Sequence, residues 1–196
     1  NYFAEVNVMK RKIFIAYPTF FSSFKEMIPD LRVVRNEKEI SKHDLVIFSG
    51  GEDIDPKIYG GDDKLSYGIN RVRDKIETEI FKRCLEVGAK MIGVCRGHQL
   101  ILALHGAKLI QDIKPPHPSY HELFYHDDFY KKLVGENVNS LHHQGVHVNN
   151  LPENFKLIAS FDDVIEVAIS ENCFTIQSHP EFSGNVTLFK YLIKEL

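Results

Sequence analysis

The sequence predicts an α/β fold: a three-layer, doubly wound, mainly parallel sheet with helices on both faces, plus a small antiparallel section. Three observations predict it. Short apolar runs alternate with helical patterns through the first half of the chain, as parallel strands joined by crossover helices do. Two of those runs end in glycine-bearing turns, Gly50-Gly51 and Gly93-Val94-Cys95-Arg96-Gly97. The carboxyl ends of strands are where open parallel sheets bind ligands. Three β-rich runs then follow one another in the second half with no helix between them.

The elements follow in chain order. Lys12–Ala16 and Leu31–Val34 read as short buried strands, and Leu45–Ser49 is a third, ending at Gly50-Gly51. Asp74–Val87 repeats apolar residues at helical spacing (Ile76, Ile80, Phe81, Cys84, Leu85), and Gly88 is its stop signal. Lys90–Val94 is the next strand; Gly97–Leu104 is the helix behind it, closed by Gly106. Between Lys114 and Tyr130 the pattern breaks into Pro, His and aromatic residues, which predicts loop and short strands. Leu157–Ser160, Val164–Ser170 and Phe174–Gln177 read as successive strands of the antiparallel section, and Val186–Leu196 as a C-terminal helix. With no internal repeat, low-complexity tract or linker, residues 1–196 read as one domain. Residues 1–8 read as an extension ahead of Met9.

Composition narrows the functional classes. A length of 196 residues with 43% hydrophobic residues suits a globular domain with a real core. The formal charge of −3 leaves no basic footprint, so nucleic acid is not an expected partner. No apolar run approaches the roughly 18–20 residues that span a bilayer, and no secretory signal is legible. The three cysteines, Cys84, Cys95 and Cys173, are odd in number and widely spaced. They read as free thiols in a reducing cytoplasm.

Cys95 carries the sharpest signal. An apolar strand runs into a cysteine flanked by Gly93 and Gly97, and a helix starts at once; this is the strand–turn–helix of a nucleophile elbow. A helix N-terminus favours the thiolate, the reactive form. Such a nucleophile needs a base, and His179 is the best candidate: it follows an apolar strand that Pro180 stops. Glu181 can accept a hydrogen bond from the imidazole and fix its tautomer. An oxyanion developing in acyl transfer needs donors, for which the backbone N–H groups of Arg96 and Gly51 are natural sources. Cys84 and Cys173 read as small buried hydrophobes. His117, His121, His126, His142, His143 and His147 invite a metal reading, but their spacings match no zinc pattern and no cysteine pairs accompany them. No metal and no cofactor is expected.

Gly93-Val94-Cys95-Arg96-Gly97-His98-Gln99 together with His179-Pro180-Glu181 resembles the class I glutamine amidotransferase-like superfamily, with its flavodoxin-like sheet. Three features resemble its γ-glutamyl hydrolase branch, the C26 peptidase-like enzymes: the run Gly50 to Gly60, Cys95-Arg96-Gly97, and Val138 to Gln144. Glutaminase subunits usually carry Tyr or Leu where this chain has Arg96. The resemblance implies hydrolysis of a γ-glutamyl amide through a thioester on Cys95, releasing L-glutamate. It implies substrate binding by Gly50, Gln99, Ser140, His142, His143 and Gln144. Within that branch the chain is similar in its small size to a compact member acting on γ-glutamyl-CDP-amidate (CDP-L-glutamine) in capsular phosphoramidate biosynthesis, a resemblance that implies this substrate, with Arg71, Arg73 and Lys42 as candidate cations for its diphosphate. The expected partner is therefore a small molecule. No synthetase is required, and a homo-oligomer is allowed. Two other readings stand beside it: a glutaminase subunit supplying ammonia to a separate synthetase, and a hydrolase of another γ-glutamyl-amine.

Overall fold

The structure, a computed structural model, describes residues 11–62 and 64–196. The extension expected over residues 1–8 lies outside the described residues. In chain order the elements are β1 (Ile13–Ile15), α1 (Phe21–Met27), β2 (Arg32–Val33), β3 (Leu45–Phe48), α2 (Arg71–Val87), β4 (Lys90–Val94) and α3 (Arg96–Leu104). Then come β5 (Leu109–Ile110), β6 (Tyr120–Glu122), β7 (Phe124–Tyr125), α4 (Asp128–Val134), β8 (Asn137–Asn139) and β9 (Gly145–Val146). The chain closes with β10 (Lys156–Phe161), β11 (Val164–Ile169), β12 (Cys173–Ile176) and α5 (Val186–Glu195).

Eight strands form one sheet in the order β2-β1-β3-β4-β12-β11-β10-β7. The pairs from β2 to β12 are parallel, and those from β12 to β7 are antiparallel. All four residues of β3 are buried because helices cover both faces, which is why the strand reads as a continuous apolar run rather than an alternating one. On one face Phe14, Val46, Phe48 and Met91 pack with Ile80, Phe81 and Cys84 of α2 and with Leu100 and Ile101 of α3. On the other, Ile15, Ile47, Val94 and Ile176 pack with Phe24 of α1, Val134 of α4, and Leu188, Phe189 and Leu192 of α5. The predicted three-layer architecture is the one observed. Among the described residues no helix is long and apolar enough to cross a membrane.

The antiparallel section expected in the second half is present and continuous with the main sheet, because β12 pairs parallel with β4 on one side and antiparallel with β11 on the other. Other expectations need correction. Two further two-stranded sheets, β5–β9 and β6–β8, stand apart from the main sheet. Helix α1 was not expected; it is two turns long and Phe20 offers it no side-chain cap. The segment read as loop and short strands ends in α4, capped by Asp127, whose side chain accepts from Phe129 N–H. Helix α2 starts at Arg71, where the Asn70 side chain accepts from Arg73 N–H. Ile76 and Leu85, assigned to its apolar face, are exposed, whereas Arg73, Asp74 and Glu77 are buried.

Candidate active site

Cys95 stands between β4 and α3 at φ 50° and ψ −106°, a conformation that L residues rarely adopt. Such a backbone persists only where its surroundings over-determine it, at a cost of about 1–3 kcal/mol. Here the flanking glycines make the turn sterically feasible. A Cβ on Gly97 would lie 2.0 Å from the Phe48 carbonyl oxygen, and one on Gly93 would lie 2.7 Å from that of Gly97. Helix α3 therefore presses directly onto β3, with Cys95 at its N-terminus. The backbone N–H of Cys95 is held by Ile176 O at 2.8 Å, which ties the elbow to β12 and so to the segment that carries His179.

The fold brings the three predicted groups together across 84 residues of chain. His179 Nδ1 lies 2.6 Å from Glu181 Oε1, and both side chains are buried. Burial favours the neutral imidazole, but hydrogen bonds to Cys95 and Glu181 outweigh it and push His179 up to about 10. The ring stacks on Phe182 with centroids 4.7 Å apart and meets Phe20 edge-on at 5.9 Å. Asn139 clamps the backbone beneath it: its Oδ1 accepts from His179 N–H at 2.7 Å and its Nδ2 donates to His179 O at 2.9 Å. Sequence reasoning passed over Asn139, whose side chain does the work of a strand partner. Burial raises the Cys84 thiol well above its ordinary value and pushes Cys173 to about 11, which suits inert core residues.

A cleft of about 220 Å³ opens beside Cys95, lined by Gly51, Glu52, Asp53, Tyr67, Gln99 and the Leu141–Gln144 segment. Gln99 Nε2 donates to Gln144 O at 3.0 Å and to Gln177 Oε1 at 3.2 Å, so its side chain braces the cleft wall. His143 Nε2 lies 2.9 Å from Asp53 Oδ2, and its ring packs on Tyr67. Gly51, Gln99, His142, His143 and Gln144 thus share the cleft. Gly50 and Ser140 do not line it. A Cβ on Gly50 would meet His179 Cε1 at 2.4 Å, so this glycine makes room for the imidazole. Ser140 is buried, with its N–H on Ser119 O. A larger groove of about 730 Å³, between Ala16–Pro18, Val33–Glu37 and α2, holds none of these residues.

Beneath the cleft lies an ionic network that the sequence disclosed only in part. Arg96, almost wholly buried, pairs with both Glu77 and Asp74. Glu77 also pairs with Arg73 at 3.3 Å. Arg73 in turn donates to Ser49 O and Gly50 O at 3.0 Å each and to Glu52 Oε2 at 2.9 Å. A Cβ on Gly51 would lie 2.3 Å from Arg73 Nη1. The glycine turn after β3 is thus suspended from Arg73, and Arg73 is linked through Glu77 to the residue that follows Cys95. Burial works against the charge on Glu52, but a backbone hydrogen bond and both arginines hold its carboxyl below the usual range. Of the three cations considered for a diphosphate, Arg73 is consumed inside this network. Lys42 packs near Gly88, at the far end of α2. Arg71 is exposed and pairs with Asp55 at 2.7 Å.

The sheet order, the elbow and the His–Glu pair define a three-layer α/β protein with a cysteine at a strand–helix turn. A provisionally named GMP synthase component of Thermoplasma acidophilum superposes with a TM-score of 0.69 at 20% identity over 93% of this chain and 92% of that one, a likeness of fold. The provisionally named glutamine amidotransferase-like protein YvdE of Lactococcus lactis is 28% identical over 172 residues, 78% of this chain and 72% of that protein. Gamma-glutamyl peptidase 4 of Arabidopsis thaliana is 29% identical over 116 residues, covering 55% of this chain and 46% of the relative. The Peptidase C26 profile matches residues 26–181, and the chain belongs to that family.

Proposed function

We propose that the protein is a cysteine-dependent hydrolase of γ-glutamyl amides that releases L-glutamate through a thioester on Cys95. The observation that carries this reading is the elbow cysteine beside an imidazole that is itself hydrogen-bonded to a buried carboxylate. Family membership and the likeness to a γ-glutamyl peptidase support the same chemistry. With Cys95 as thiolate and His179 as imidazolium, Sγ attacks the γ-carbonyl carbon and an S–C bond forms. The oxygen's developing charge is taken by the backbone N–H groups of Arg96, in the first turn of α3, and Gly51. His179 gives its proton to the departing nitrogen as the C–N bond breaks. Water then enters, His179 accepts its proton, and collapse of the second tetrahedral species frees glutamate and the thiolate. Glu181 stabilises the imidazolium throughout.

Gln99, His143 and Gln144 are assigned to holding the glutamyl group, since they share the cleft with Cys95, and His142 supports the same wall with its imidazole buried behind it. Ser140 and Gly50 support that wall and the His179 ring from outside the cleft. The finer substrate reading, γ-glutamyl-CDP-amidate, leans on Arg71 alone among the three cations, because Arg73 is bound in the buried network and Lys42 lies at the far end of α2. The likeness in fold to a synthase component favours a second reading, in which the site makes ammonia from glutamine for a separate partner. One assay separates them. Purified protein is given γ-glutamyl-CDP-amidate, γ-glutamyl amines and glutamine, and glutamate is measured. The hydrolase reading expects turnover of a γ-glutamyl conjugate by the protein alone, lost in Cys95→Ala. Turnover of glutamine alone, and only when a synthetase is added, would replace it with the second reading.

A further inference from the structure

Behind the cleft wall lies a cluster of imidazoles around one carboxylate that the proposed chemistry does not use. Glu166, in β11, is fully buried, and neither of its carboxylate oxygens has a hydrogen-bond partner among the described residues. Two imidazole nitrogens face it: His121 Nε2 at 3.5 Å and His142 Nε2 at 3.8 Å from Oε1. The ring of His117 meets those of His121 and His142 edge-on, with centroids 5.4 and 5.7 Å apart, and both of its nitrogens lack hydrogen-bond partners among the described residues. One ligand atom from each of His117, His142 and Glu166 can be chosen so that all three lie within 4.8 Å of one another.

The hydrogen bonds behind these rings fix which nitrogens are free. His142 Nδ1 lies 2.9 Å from Gln144 O and His121 Nδ1 lies 3.4 Å from Pro118 O. A carbonyl only accepts, so Nδ1 carries the proton in each ring, and in the neutral imidazole Nε2 is a bare lone pair aimed at the carboxylate. An outer ring nitrogen donating to a backbone carbonyl is the usual support of a metal-ligating histidine. Lone pairs facing a carboxylate in a dry interior repel unless positive charge stands between them. A shared proton would draw N and O to about 2.7–2.9 Å. The gaps of 3.5 and 3.8 Å are longer than that. They lie close to the edge of a tetrahedron whose centre is about 2.0–2.1 Å from each ligand, which is roughly 3.4 Å.

We propose that His117, His142 and Glu166, with His121 standing beside the same carboxylate, bind a divalent late first-row metal ion, Zn²⁺ being the ion that two imidazoles and one carboxylate suit best. Sequence spacing gave no hint of it because the ligands come from three separate segments that meet only in the fold. The ion has a structural place: His142 lies in the cleft wall, and the Gln144 carbonyl that holds its Nδ1 also accepts from Gln99. Bound metal would therefore fix that wall from behind.

The test is calorimetric titration of chelator-treated protein with Zn²⁺, in a Cys95→Ala background that removes the competing thiol. The expected result is one equivalent of Zn²⁺ per chain, with affinity falling at least about tenfold in Glu166→Gln and in His117→Ala. His117 is only partly buried, so its variant keeps the test decisive should Glu166→Gln fail to fold. No stoichiometric uptake, or uptake unchanged in His117→Ala, would overturn the proposal.

Discussion

At Cys95 a strained backbone, a helix N-terminus and an imidazolium converge on one sulfur. The imidazolium is the part that makes a pH prediction. His179 is raised from 6.5 to about 10, with burial opposing the charge and Cys95 and Glu181 outweighing it. Its proton is therefore held well above neutrality and is lost only as pH rises through the raised value. The alkaline limb of kcat/KM for a γ-glutamyl amide should accordingly lie near pH 10 rather than near 6.5. Glu181→Gln removes the carboxylate and should move that limb to lower pH while reducing kcat about 10²–10⁴-fold. A pH–rate profile of the two proteins measures both effects; a limb that stays in place in Glu181→Gln would show that the carboxylate does not set the imidazole's charge. Asn139 acts on the same ring through the backbone, which is why residue type alone did not disclose it.

The elements differ in how openly the sequence announces them. Strands β3 and β4 were legible because burial on both faces leaves unbroken apolar runs, and the elbow was legible because only glycine fits where α3 meets β3. Helix α2 was legible from Asp74 onward, but the face it buries was not. Its first half turns Arg73, Asp74 and Glu77 inward to hold Arg96, and a charged buried face looks like a solvated one when read as sequence. That network makes a prediction of its own. Arg96→Leu leaves Glu77 buried with Arg73 as its remaining cation and Asp74 with only the Asp55 N–H, and should cost about 3–5 kcal/mol in urea unfolding. Adding Asp74→Asn should recover part of that loss, because the second change removes the carboxylate charge left without a cation. A double variant as unstable as the sum of the singles would show that the pair is not coupled. Glu166 escaped notice for a related reason, being the one charged residue inside the apolar strand Val164–Ile169.

Over the whole molecule, packing two helical layers on one sheet buries polar side chains along with apolar ones. His98, on α3, is fully buried, and desolvation lowers it from 6.5 to about 3. The unfolded chain takes up a proton there below about 6.5 while the native state does not until about 3. The stability this group contributes is therefore present above 6.5 and lost as pH falls towards 3, at about 1.4 kcal/mol per unit. Urea midpoints measured across that window should fall on acidification, and fall less in His98→Asn; equal slopes would remove His98 as the cause. The fold's main service to the proposed chemistry is to set the β4 elbow beside the segment that follows β12, with the glycine turn of β3 across the cleft. The most direct test of that account is acid-quenched, single-turnover mass spectrometry with a γ-glutamyl amide. We expect one γ-glutamyl acyl group on the peptide containing Cys95, appearing before free glutamate and absent in Cys95→Ala. Glutamate release with no adduct, and undiminished in Cys95→Ala, would contradict it.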